Sequence, residues 1–239
     1  MKTKLTLFVA VLAVALLGVG CASTEPAFVS DGLVAYYPFN GNADDKSGND
    51  NNGTVNGAKF TTDRHGEPDK AANFDGKSWI EVPGLKLDLH SLTFGAWFIT
   101  SDKRYVTSMV SQPGGSTTTG TRIGLLTSKA CFTTGAGNGP TLLSSNAVND
   151  DVWHHLVGAF DRGQLHLYVD GELQGFAKFE AGPHFPDESV YIGKEFRLPT
   201  TGNDYRYYTG SLDDVRIYNR ALSADEVKAL YDLEKLKAK

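Results

Sequence analysis

Gly210-Ser211-Leu212-Asp213-Asp214-Val215-Arg216-Ile217-Tyr218-Asn219-Arg220-Ala221-Leu222-Ser223 reads as a half-buried strand that runs into the start of a helix. Val215 and Ile217 alternate with Asp214, Arg216 and Tyr218, the period of two that puts one face of a strand against a core and the other in water. On that alternation Asp213 falls on the face of Val215 and Ile217. Ser223-Ala224-Asp225-Glu226 is a capping box, in which the serine oxygen takes an orphan backbone N–H and Glu226 reaches back to the N–H of the cap residue. A helix over about 224–236 follows, with Val227, Leu230 and Tyr231 as its apolar face.

Upstream the chain repeats short β-rich runs separated by Gly, Asn, Asp and Ser. The clearest strands are Leu92–Ile99, Thr121–Leu126, Trp153–Asp161, Gln164–Asp170, Glu172–Lys178 and Ser189–Gly193. The turn signals Asp161-Arg162-Gly163 and Asp170-Gly171 make 153–178 a three-stranded antiparallel meander. No internal repeat or Pro-rich linker interrupts the pattern. The expected fold class is all-β, one domain of two stacked antiparallel sheets closed by the helix.

At the N-terminus Lys2 and Lys4 precede an uncharged apolar run from Leu5 to Val19, too short for the about 20 residues a membrane span needs, so it reads as an export signal. Leu17-Gly18-Val19-Gly20-Cys21 resembles a bacterial lipobox. That resemblance implies a signal peptide over 1–20, a diacylated Cys21, a tether over 21–31 and a domain over 32–239. With Ala22 and Ser23 after the cysteine it further implies an outer-membrane lipoprotein; the alternative is a conventional cleaved signal that leaves a secreted or periplasmic protein. Cys131 then has no disulfide partner and reads as a small buried hydrophobe in a strand. The net charge of −5 becomes −7 once Lys2 and Lys4 are lost with the first twenty residues. Such an acidic balance argues against a nucleic-acid partner, whose phosphates call for clustered Lys and Arg.

Six segments in chain order carry a wider resemblance. They are Gly32-Leu33-Val34-Ala35-Tyr36-Tyr37-Pro38-Phe39-Asn40-Gly41, Ser47-Gly48-Asn49 through Gly53, Asn73-Phe74-Asp75-Gly76, Trp153-His154-His155-Leu156-Val157, Tyr168-Val169-Asp170-Gly171, and the closing strand. Together they resemble the bacterial laminin-G-like jelly-roll domains of the concanavalin A-like superfamily, related to the pentraxins. The resemblance implies a concanavalin A-like jelly-roll sandwich and, for the loop Asn40–Gly53, a structural calcium held by Asn40, Asp45, Asn52 and Asp213 or Asp214. The loop is rich in the hard oxygen ligands that calcium takes; read without the family, it is first an Asx-rich turn that caps itself.

Catalytic patterns are scarce. His154 and His155 are strand neighbours and face opposite ways, so the pair cannot share a metal, and His65, His90, His166 and His184 show no ligand spacing. Glycoside hydrolysis needs two carboxylates roughly 5 to 10 Å apart, and no Glu-x-Asp-x-Glu run, Gly-x-Ser-x-Gly elbow or phosphate loop occurs. For sugar contact the candidates are Arg104 and Tyr105 in one loop and Arg197, Tyr205 and Arg206 in the long segment Lys194–Tyr208. Tyr207 or Tyr208 is expected to tuck inward. Trp97 reads as core and Trp79 as core or surface. The resulting expectation is an envelope-anchored lectin-like module that binds glycan or a protein partner without catalysis. Its rivals are a glycosidase or polysaccharide lyase of the same superfamily and a purely structural envelope lipoprotein.

Overall fold

The computed structural model describes residues 26–88, 90–113, 120–134, 139–180, 189–195 and 206–236. In chain order the elements are α1 (Ala27–Ser30), β1 (Leu33–Tyr37), β2 (Thr54–Asn56), β3 (Lys59–Thr61), β4 (Ala71–Asp75), β5 (Trp79–Val82), β6 (Ser91–Ile99), β7 (Val106–Gln112) and β8 (Thr121–Leu126). They continue with β9 (Lys129–Thr133), β10 (Thr141–Ala147), β11 (His154–Asp161), β12 (Gln164–Val169), β13 (Glu172–Lys178), β14 (Val190–Ile192), β15 (Thr209–Tyr218) and α2 (Ala224–Leu236). One sheet orders them β13-β12-β11-β6-β15-β4-β3, with β1 also on β15; the other runs β10-β9-β8-β7-β14-β5-β2. Both are antiparallel, and the meander β11-β12-β13 stands where its turn signals place it.

The inner faces meet in one core. Phe74, Phe94, Phe98, Leu156, Leu212, Val215 and Ile217 of the eight-stranded sheet pack on Ile80, Val82, Val110, Ile123, Phe132 and Ile192 of the seven-stranded one. Tyr208, not Tyr207, is the residue that tucks inside, fully buried with its hydroxyl donating to the Ile99 carbonyl at 2.8 Å.

The closing strand is the hub of its sheet. It pairs with β1, β4 and β6, so its breaks in register decide what faces where. One break falls between Asp213 and Arg216. Asp214 sits there at φ 44°, the left-handed region that Asp tolerates better than most residues. This bulge overturns the alternation inferred for the strand. Leu212 and Val215 both face the core, while Asp213, paired with Trp97, lies on the outer face with Asp214.

That outer face is covered by α2. The capping box forms as expected, Ser223 N–H donating to Glu226 Oε2 at 2.8 Å and Glu226 N–H to Ser223 Oγ at 3.3 Å. Val227 and Leu230 pack with Val29, Val157, Tyr168, Tyr218 and Leu222 into a second, smaller cluster. Trp97 is buried as expected, 4% exposed, on this outer face, stacked on Tyr231 at 5.5 Å. Tyr218 Oη donates to the Val29 carbonyl and the Arg220 guanidinium to the Phe28 and Asp31 carbonyls, which clamps α1 against the sandwich.

Candidate functional site

The Asx-rich loop closes on itself. Asp45 Oδ1 accepts from the N–H groups of Tyr36 (2.9 Å) and Ser47 (2.8 Å), and Oδ2 from Ser47 Oγ (2.8 Å) and the N–H of Asn51 (3.0 Å). Asn52 Oδ1 accepts from the N–H of Asp45 at 2.9 Å. Four donors occupy about all the lone-pair sites that a carboxylate offers. Asp213 is committed elsewhere, ion-paired with Arg64. Asn40 is exposed, and among the described residues no group of three or more His, Cys, Asp or Glu is placed to hold a metal. Asp45 and Asn52 thus spend their side-chain oxygens on amides and a hydroxyl around the turn, the self-capped arrangement.

Asp213 and Asp214 belong to a buried network beneath α2. Arg64 bonds both carboxylates, reaching Asp214 Oδ2 at 2.7 Å, and also donates to the Glu234 carbonyl at 2.8 Å. The Glu234 carboxylate, 2% exposed, accepts from Arg216 Nε at 2.7 Å and from the Trp97 indole N–H at 2.8 Å. Arg216 lies 3.7 Å over the Tyr36 ring, whose hydroxyl donates to Asp214 at 2.6 Å. His155 sits against Trp97 in the same layer, while His154 faces Asp170 (2.8 Å) and Asp150 (3.1 Å). The layer is closed by the helix, so it locks α2 to the sheet and offers no surface to a ligand.

The open chemistry lies on the outer face of the seven-stranded sheet. Ile80, Val82, Val190, Ile192, Ile123 and Phe132 point inward, so Trp79, Glu81, Tyr191, Arg122 and Cys131, their strand neighbours, point out. After β14 the chain turns at Gly193 (φ 84°), where any Cβ would strike the Phe74 ring at 2.3 Å. That turn carries 193–195 alongside 206–208: Glu195 N–H donates to the Arg206 carbonyl and Tyr208 N–H to the Gly193 carbonyl. Consecutive residues then supply two halves of one strip. In the aromatic half, Lys194 Nζ lies 4.0 Å from the Trp79 ring centre and 4.8 Å from that of Tyr191, and Trp79 meets Tyr207 at 6.1 Å. In the charged half, Glu195 Oε2 lies 3.4 Å from Arg122 Nε, 3.2 Å from Arg206 Nη1 and 3.1 Å from Ser108 Oγ. Burial pulls the Lys194 ammonium below its ordinary value and Glu81 holds it up in part. Cys131 is buried as expected, on this outer face rather than in the core, where Arg122 donates to its sulfur at 3.3 Å.

Of the residues singled out for sugar contact, Arg206 belongs to this strip. Arg197 and Tyr205, like the lipidation candidate Cys21, lie outside the described residues. Arg104 and Tyr105 stand apart from it. Arg104 bonds Asp102 Oδ2 at 2.6 Å and the Thr209 hydroxyl, at the rim of a 360 Å³ recess lined by Asn73, Thr100, Asp102, Asp151, Thr209 and Ser211. Tyr105 is 70% exposed. A second recess of 420 Å³ opens between β10 and the start of β13, around His154, Asp150 and Asp170. Sequence reasoning missed Trp79, Tyr191 and Glu195 as a group. The signal available was the alternation of Trp79 with Ile80 and of Tyr191 with Ile192.

The fold as a whole is similar to solved structures. Domain 4 of AbnA, an extracellular GH43 arabinanase from Geobacillus stearothermophilus solved in complex with arabinotriose, superposes with a TM-score of 0.69 at 20% identity, over 83% of this chain and 98% of that one. The binding domain of Paraclostridial Mosquitocidal Protein 1 gives 0.70 at 18% identity, over 86% and 53%. The binding domain of botulinum neurotoxin serotype D gives 0.65 at 15%, over 87% and 53%, so this chain spans about half the length of either toxin domain. Likeness at these identities shows the fold. No curated protein matches the chain. The family model for the concanavalin A-like lectin/glucanases superfamily (Laminin_G_3) matches residues 74–228, more than half of the chain, and this protein belongs to that family.

Proposed function

We propose that the chain is an envelope-anchored, lectin-like module that binds glycan, or a protein partner, without catalysis. The observation that carries this reading is the strip of half-buried rings, Trp79, Tyr191 and Tyr207, with Lys194 over two of them and Glu81 and Arg206 at its edges. A sugar presents an apolar face for rings and hydroxyls for charged and polar groups, and this strip offers both within a few residues. The arabinanase domain, whose fold is the same, was solved with a bound oligosaccharide. Against catalysis stands Glu195, 3% exposed and tied to two arginines. A general acid must reach the bond it protonates.

On an array of neutral and acidic glycans, Trp79→Ala is expected to lower the affinity for the best ligand by at least about tenfold, the loss of one ring at a binding centre. Silence of the whole array beside a specific crosslinked protein partner would favour the structural lipoprotein, and release of reducing ends from a polysaccharide panel would establish an enzyme. Anchoring rests on the lipobox-like run before Cys21. Cys21→Ser is expected to move the exported chain from the membrane to the soluble fraction, and unchanged fractionation would end that part of the reading.

A further inference from the structure

Among the described residues the charges around Glu195 do not cancel. Arg122 and Arg206 share the single carboxylate of Glu195, at 3.4 and 3.2 Å. Among the described residues, the other partner of Arg122 is the sulfur of Cys131. Burial pushes that thiol up and outweighs the pull of Arg122, so it is neutral at physiological pH and contributes no counter-charge. Among the described residues the cluster therefore holds two cations against one anion. It is sheltered as well: the Arg122 side chain is 5% exposed and that of Glu195 is 3%, and the group opens to solvent through Arg206, at 16%. Glu195 Oε1 and Arg122 Nε, both buried, have no hydrogen-bond partner. An uncompensated cation out of water is costly, and leaving a buried carboxylate oxygen without a donor adds to that cost.

A guanidinium presents a planar fork of donors that matches a carboxylate or sulfate. We infer that the ligand of the strip is an acidic saccharide, its carboxylate or sulfate seated against Arg206 and an adjoining ring lying on Trp79 and Tyr207. This inference rests on the glycan reading of the strip and names the class of glycan. The anion completes the cluster's charge, and the rings supply the contact that a bare anion cannot use. It also accounts for an acidic protein carrying arginines on this face: the local field, not the net charge of −5, meets the ligand.

Calorimetric titration of the full-length chain tests it with three probes: an oligogalacturonate, the same oligomer with its carboxylates methyl-esterified, and a sulfated galactan oligomer. At least one acidic probe is expected to bind at least tenfold more tightly than the neutral one, with that advantage shrinking as salt rises. Arg206→Gln is expected to abolish the advantage, and Arg206→Lys, which keeps the charge but loses the fork, to retain part of it. Which acidic probe wins distinguishes a carboxylate from a sulfate ligand. Equal binding of acidic and neutral oligomers, or an advantage that survives in an Arg206→Gln chain with an unchanged melting temperature, overturns the acidic-ligand inference and leaves the glycan reading standing. Silence of all three probes, with Trp79→Ala likewise without effect on any array glycan, overturns both.

Discussion

Replacing Glu234 with alanine is expected to cost the domain about 3–5 kcal/mol, measured as the change in urea-unfolding free energy at constant m. Its carboxylate is buried and takes two short bonds, from Arg216 Nε (2.7 Å) and Trp97 Nε1 (2.8 Å). Truncation leaves a guanidinium that is 4% exposed and a buried indole N–H without their acceptor, and α2 loses the bonds that fasten its last turn to β6 and β15. An opposing effect exists. Burial raises the Glu234 carboxyl, with Asp214 adding repulsion while Arg216 and Arg64 counter it, so removing one of three crowded carboxylates returns part of the loss. The desolvated Arg216 outweighs that relief, because Asp213 and Asp214 are already held by Arg64. Glu234→Gln, which keeps an acceptor for Trp97, is expected to cost less than the alanine. A loss below about 1 kcal/mol for Glu234→Ala would show that the helix does not depend on this network.

The second large effect is a pH dependence centred on His155. Burial first, then the positive charges of Arg64 and Arg216, push its imidazole down from 6.5 to about 3, with Asp170 and Asp214 pulling the other way. Glu234 Oε2 lies 3.7 Å away, beyond hydrogen-bond reach, and already accepts from Trp97, while Oε1 takes Arg216. A group depressed on folding contributes stability that is present above its unfolded value and lost as pH falls toward the folded one. Stability is thus expected to fall from near pH 6.5 downward with a slope of up to about 1.4 kcal/mol per pH unit, about 4–5 kcal/mol by pH 3. His155→Gln should flatten the upper part of that window, before the carboxylates titrate. His154 moves oppositely: its hydrogen bond to Asp170 raises it, against burial, so its contribution is present below 6.5 and fades as pH rises through the raised value. Imidazole NMR titration separates the two. If His155 titrates near 6.5, the assignment of the acid limb to it is wrong.

The adjacent histidines illustrate what a strand's alternation conveys and where it stops. That 154 and 155 face opposite ways follows from the pleat, and so does the split between Ile80 and Trp79 or Ile123 and Arg122. The capping box at Ser223 and the helix bounds 224–236 were equally legible, because both are local: a serine, a glutamate three residues on, and an apolar stripe. The fold class followed from the recurrence of such runs. The alternation failed at Asp213, where one bulge put two consecutive aspartates outward. A bulge depends on how three neighbouring strands fit against β15, which no residue of β15 announces by itself.

The same limit governs the candidate site. Arg206 was legible as a polar residue in a long loop, but its meaning comes from Arg122 on β8 and Glu195 after β14, which are 84 and 11 residues away in the chain. The Asx-rich loop shows the reverse case. Its composition suits calcium, and the folded loop spends those oxygens on its own amides.

By itself the sequence determined the all-β class, the closing helix with its cap, and the residues that alternate between core and surface, since each rests on interactions within a few residues of one another. Only the tertiary structure decided that Asp213 and Asp214 serve Arg64 beneath a helix, that Glu234 is buried, and that Trp79, Lys194, Glu195, Arg122 and Arg206 form one strip. Those pairings join distant segments, and their energies come from burial and charge compensation that exist only once both sheets and α2 are in place.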